Sequence, residues 1–291
     1  MPIFIVKKTE TGISTYDFLQ KKLPAAPPAY LKQLLNKGKV KGIQGVLHGD
    51  ELLKVGNRIR LPDSSRLLEL LSVPVPLFQS LSILYETREI LVVDKPAGLV
   101  IHSSQGHEQD NLTLRVAQLL AERGAKYAVA PVHRLDLETS GPVLFGKGKR
   151  ACSQLGQMFM RQEVEKYYLA LVAGKIAGSG RLESQLTAKG KKKQACTDFR
   201  ALVRNEQASL VELQLQTGRQ HQIRRQLAEQ GHQLFGDRRY RGPCPPGLPR
   251  MFLHCFRLAF IDPFSAAQVA VEAPLPDELA AFLPQVDIRF P

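Results

Sequence analysis

The sequence predicts an α+β fold: a large domain on a mixed, largely antiparallel sheet, preceded by a small α/β unit. Three observations carry this. After residue 80, strand-like apolar runs outnumber helical ones, and the helices between them follow no regular βαβ alternation. A Val-Pro-Val-Pro run at residues 73–76 interrupts the chain, as an extended connector would. The 291 residues exceed one average domain and fall short of three. The boundaries are 1–63 for the small unit, 64–79 for a linker and 80–291 for the large domain. An edge strand is the other reading of 64–79.

In the small unit, TYDFLQKKL and YLKQLLNKGKV read as two short helices. Leu31, Leu34 and Leu35 mark one face of the second, and Gly38 stands where a C-terminal cap belongs. KVKGIQGVL and NRIRLPD are short β-like pieces, with Gly45, Gly49 and Gly56 as turn candidates.

In the large domain, the apolar run at 90–93 is a buried strand that ends in a Pro-Ala-Gly turn. NLTLRVAQLLAERG is an amphipathic helix with Leu112, Val116 and Leu119 on its apolar face and Gly124 after it. GPVLFGKG is a strand. ACSQLGQMFMRQEV is a helix, with Met158, Phe159 and Met160 assigned to the core. EKYYLALVAG is a strand, FRALVRNEQASLVELQLQT a hairpin turning near Asn205–Gln207, QHQIRRQLAEQG a helix capped by Gly231, and FLHCFRLAFIDP a late strand.

Composition narrows the partners. Hydrophobic residues make up 44% and there is no Trp, so aliphatics fill the core. Forty Lys and Arg against 27 Asp and Glu leave a net charge of +13, which argues for a polyanionic partner, nucleic acid above all. The four cysteines show no metal-binding spacing and suit a reduced compartment. The N-terminus lacks a signal-like apolar stretch, and no run is long enough to span a membrane. A cytoplasmic, monomeric protein is the expectation.

Two constellations could carry chemistry. In VHRLDLETSGPVLFGK, Asp136 follows His133 and Arg134 in an apolar, strand-like setting. A carboxylate there is costly unless paired. One reading is an Asp–Arg pair that holds a turn; the other is a nucleophilic or general-base carboxylate with its ion partner close by. In TGRQHQIRRQLAEQGHQLFGDRRY, Arg219, His221, Arg224 and Arg225 gather at a helix start. Helix N-termini and guanidinium forks both favour phosphate.

Together these two stretches resemble the RluA family of RNA pseudouridine synthases. VVDKPAGLVIHSS, EKYYLALVAG and FLHCFRLAF resemble it in the same order, over roughly residues 80–275. The resemblance implies a pseudouridine synthase fold that isomerises uridine in structured RNA without a cofactor or metal. It makes Asp136 the catalytic aspartate and Arg224 its salt-bridge partner. Tyr168 is the residue stacking on the uracil, with Tyr167 as competitor. Arg134 fills the place of the extruded base. His133, Arg219, Ile223 and Leu253 join the RNA- and base-facing set, and Lys191 and Lys192 the phosphate contacts. The chemistry suits these types. The nucleotide must leave its stack at a cost of a few kcal/mol, and a guanidinium and an aromatic platform offset part of it.

Residues 1–63 are similar to an S4 RNA-binding domain, with Lys32, Lys37, Lys39 and Lys41 as a basic strip. They depart from its pattern at Ser14-Thr15, Ala29-Tyr30, Gln44-Gly45 and Gly56-Asn57; the large domain departs at Gln226 and Gln233. The S4-like unit favours large-subunit ribosomal RNA over tRNA by analogy. The rivals are a catalytically silent RNA-binding or ribosome-assembly protein, a synthase acting on tRNA, and a phosphodiesterase using His133 and Asp136.

Overall fold

The computed structural model describes residues 2–7, 10–23, 26, 28–42, 45–64, 67, 81–103, 110–188 and 191–289. The Val-Pro-Val-Pro connector, Gln44, His107 and Lys189 lie outside them. The chain divides into two compact units, Met1–Gln79 and Ser80–Pro291.

In the first unit, β1 (Ile3–Ile5) pairs antiparallel with β2 (Arg58–Arg60). Helix α1 (Thr15–Lys22) starts on Ser14, whose hydroxyl accepts from the Asp17 amide at 3.1 Å. Helix α2 (Pro28–Asn36) buries Leu31, Leu34 and Leu35 against Phe18, Leu19, Ile59 and Leu61. Gly38, at φ +61°, ends it. Its amide bonds Leu35 O and that of Lys39 bonds Leu34 O, the paired geometry that satisfies a helix's last carbonyls. Among the described residues of KVKGIQGVL, Lys41 makes single bridges to Val46 and Arg60. Lys32, Lys37, Lys39 and Lys41 are exposed.

The second unit contains two antiparallel sheets. One runs β3 (Ile83–Glu86), β4 (Ile90–Lys95), β6 (Gly141–Lys147), β5 (Val129–Pro131). The other runs β12 (Gln268–Glu272), β11 (Leu253–Ile261), β7 (Val164–Ala173), β10 (Ala208–Leu215), β9 (Lys191–Arg204), β8 (Ser179–Ala188). The helices are α3 (Leu112–Glu122), α4 (Lys149–Met160), α5 (Gln222–Glu229) and α6 (Asp277–Ala280). A parallel bridge, Ser140 to His254, joins the sheets, and the Cys255 amide bonds Ser140 O at 2.9 Å. Gly141 makes this approach possible. At φ +125°, a Cβ on it would lie 2.0 Å from Cys255 O, so no side chain fits.

The hairpin turns where expected: Asn205 Oδ1 accepts from the amides of Gln207 and Ala208. Strands β1, β3, β5, β8 and β12 have no counterpart in the sequence reading. Two expectations need correction. Residues 132–138 are a loop, not a strand. After β5 the Leu144 amide would pair with a backbone carbonyl, but His133 Nε2 takes it at 3.0 Å, so the ladder ends and the chain leaves the sheet. Met160 is not core. It is 85% exposed at the end of α4, while Met158 is buried.

Candidate active site

The loop that leaves β5 is pinned on three sides. His133 stacks on Phe159, ring centroids 4.7 Å apart. Because its Nε2 accepts a hydrogen bond, the ring is neutral, and burial, then Lys166, push it down to about 3. Leu135 is buried beneath the loop. Lys95, fully buried, donates to the carbonyls of Pro96 (2.9 Å), Leu99 (2.8 Å) and Leu137 (3.2 Å). One ammonium thus ties the Pro-Ala-Gly turn to the loop that carries Asp136. Burial and Arg250 push it down to about 7, against Asp136 and Asp94. Leu137, by contrast, is exposed.

Helix α5 presents the other half. Gln222 Oε1 accepts from the Thr217 hydroxyl and the Arg219 amide, shaping the turn into the helix. Gln226, one of the departures from the family pattern, is buried away from the cavity. It donates to Leu182 O and Ala195 O and accepts from Thr197 Oγ1 at 2.6 Å. It fastens α5 to β8 and β9.

Asp136 Oδ2 faces two cationic or polar groups: Arg224 Nη1 at 3.6 Å and His221 Nε2 at 3.7 Å. The expected Arg224–Asp136 pair is present, but it is the looser of two. Arg224 forks onto Asp237 through Nε and Nη2, both at 2.7 Å, and lies 5.2 Å from the Tyr240 ring. Asp237 is fully buried. Sequence reasoning missed it, although GDRRY sits in the motif that contains Arg224. His221, read from the sequence as part of the basic cluster but given no role of its own, holds a left-handed φ of +54°, and its Nδ1 is 3.1 Å from the Tyr240 hydroxyl. Burial lowers its basicity, with Asp136 opposing.

These groups open onto a cavity of about 560 Å³ whose walls include Arg134, Asp136, Tyr168, Arg219, Ile223 and Leu253. Strand alternation puts the two tyrosines on opposite faces of β7. Tyr168 lines the cavity and is 5% exposed. Tyr167 faces away, donating to Glu165 at 2.8 Å and accepting from Gln214. Burial, then Cys255, raises the Tyr168 phenol well above its ordinary range, so it keeps its proton. Arg134 is exposed at the cavity wall and carries no ion pair among the described residues. Arg219 donates to Gln194 O at 3.3 Å. Lys192 is exposed, Lys193 lines the cavity, and Lys191 opens β9. Among the described residues no group of three or more His, Cys, Asp or Glu could hold a metal ion, and no helix is long and apolar enough to cross a membrane.

The arrangement suits a flat heteroaromatic ring held between an aromatic face and aliphatic walls, with a carboxylate at its edge. Comparison with known proteins identifies relatives of the chain. Residues 89–229 match the family model described as RNA pseudouridylate synthase. The chain is 29% identical to the "Uncharacterized RNA pseudouridine synthase YhcT" of Bacillus subtilis, over 94% of each chain. It is 30% identical to "Ribosomal large subunit pseudouridine synthase C" of Escherichia coli O157:H7, over 95% of this chain and 94% of that one. The structure titled "Human RNA Pseudouridylate Synthase Domain Containing 4" superposes with a TM-score of 0.61 at 22% identity, over 72% of this chain and 94% of that one. It shares the fold.

Proposed function

The chain belongs to the RNA pseudouridylate synthase family, RluA type, and on that premise we propose that it isomerises a uridine of large-subunit ribosomal RNA, with Asp136 as the catalytic carboxylate. The family is an isomerase family acting on RNA; the substrate and the residue roles are our reading. The observation that carries it is Asp136 on the cavity wall, held by Arg224 and His221 in the same cavity as Tyr168.

In this reading the target nucleotide is extruded into the cavity. Tyr168 stacks on the uracil, Ile223 and Leu253 complete the apolar walls, and unpaired Arg134 takes the vacated place in the RNA. The glycosidic C1′–N1 bond breaks, the uracil rotates, C5 bonds to C1′, C5 then loses its proton, and N1 ends with one. Asp136 serves this by attacking the sugar, attacking the base or removing a proton. The ribosomal assignment draws on relatives named for the large subunit. The S4-like character of the first unit and its exposed lysines add to it. Mapping pseudouridines across total RNA with and without the gene tests it. Loss of one or a few large-subunit sites is expected; loss confined to tRNA would overturn the ribosomal assignment.

A further inference from the structure

A second, smaller cavity of about 110 Å³ opens beside the first, lined by Arg219, Arg225 and Arg239, with His221, Tyr240 and Leu186 among its walls. Arg219 and His221 line both cavities, so the two share a wall. The three guanidinium groups come from three places: the turn before α5, α5 itself, and the 3-10 helix Arg238–Tyr240. None of them forms an ion pair among the described residues, and no carboxylate lines the cavity. This contrasts with the adjacent Arg224, which has two carboxylates in reach. Three like charges lining one small cleft repel one another unless an anion sits among them. Guanidinium forks match phosphate oxygens in pairs.

We propose that this cleft holds one phosphate of the RNA backbone, adjacent to the nucleotide whose base enters the main cavity. The inference rests on the reading that the main cavity takes an extruded uridine. A phosphate anchored here fixes the sugar against the wall that carries His221, whose Nε2 faces Asp136 at 3.7 Å. The contact is to backbone, so it supplies register and affinity and reads no base.

The test uses the full chain, the pair Arg225→Gln/Arg239→Gln, and the pair Arg225→Lys/Arg239→Lys. Binding of a short uridine-containing single-stranded RNA is followed by fluorescence anisotropy across a salt series, with melting curves as a fold control. Losing one phosphate contact on a single strand lowers the slope of log affinity against log salt by about 0.7 and weakens binding about fivefold near 0.1 M salt. The lysine pair retains most of the slope. Inorganic phosphate competes with the RNA on the wild type more than chloride of equal ionic strength, and this excess vanishes in the glutamine pair. Wild-type affinity and slope in a folded glutamine pair, or an undiminished phosphate excess, would overturn the proposal. Pseudouridine formation by the wild type on total RNA is measured in parallel. Its absence would fault the reading of the main cavity, whereas an active wild type with an unchanged glutamine pair would fault the phosphate site alone.

Discussion

Arg224 is fixed by Asp237 and only then offered to Asp136. Two of its nitrogens lie 2.7 Å from the Asp237 carboxylate, and the third lies 3.6 Å from Asp136. The buried carboxylate sets the plane of the guanidinium, and Tyr240, whose amide donates to Asp237 at 3.2 Å, covers it. The looser contact leaves Asp136 free to meet a substrate, while the tighter one prevents Arg224 from following it.

Removing the anchor strands a buried guanidinium. Asp237→Ala is expected to cost about 3–5 kcal/mol in urea unfolding, and to lower turnover in the fraction that remains folded. Arg224→Lys, which cannot fork, should lower turnover as well with a smaller loss of stability. Full activity in both variants would show that the Asp237–Arg224 pair does not position the carboxylate.

Gly141 tests the joint between the sheets. Its Cβ would collide with Cys255 O, and its φ of +125° disfavours any side chain. Gly141→Ala is expected to lose about 3 kcal/mol or more by overpacking and backbone strain together, read as a lowered melting temperature. An unchanged melting temperature would mean that the sheets do not meet here.

Two histidines, His254 in the interior and His133 on the cavity wall, predict acid lability. Burial pushes His133 down to about 3 and His254 down to about 4. His254 bonds Ser140 and Ala273 O as a neutral ring. Below the ordinary pKa of about 6.5 an unfolded chain takes up protons that the folded chain refuses. Stability is therefore full above that pH and falls as pH drops from about 6.5 toward 4, by up to about 1.4 kcal/mol per pH unit for each ring. Urea unfolding between about pH 7 and pH 5 measures this; a midpoint that held constant would mean that both rings accept protons in the fold.

Much of this molecule is legible in the sequence because its signals are local. Leu31, Leu34 and Leu35 follow helical spacing, Gly38 and Gly231 cap where their φ of +61° and +79° require, and Asn205 turns its hairpin with its own side chain. What escaped depends on distant partners. His133 ends a strand by taking the Leu144 amide, and no periodicity reports such a capture. Asp237 is 13 residues from Arg224 in the chain and 2.7 Å from it in space. Tyr168 was set ahead of Tyr167 by resemblance alone, and only the faces of β7 give that choice a physical reason. Met160 fits the apolar pattern of α4, yet it falls on the last turn, where the helix no longer has a neighbour to cover it.

The central claim is that Asp136 does the chemistry. The most direct measurement is pseudouridine formation on the chain's mapped RNA target by wild type, Asp136→Asn and Asp136→Ala, each shown to be folded and to bind RNA. The account predicts no detectable product from either variant, with RNA affinity retained. Turnover by either variant at the wild-type rate would contradict it.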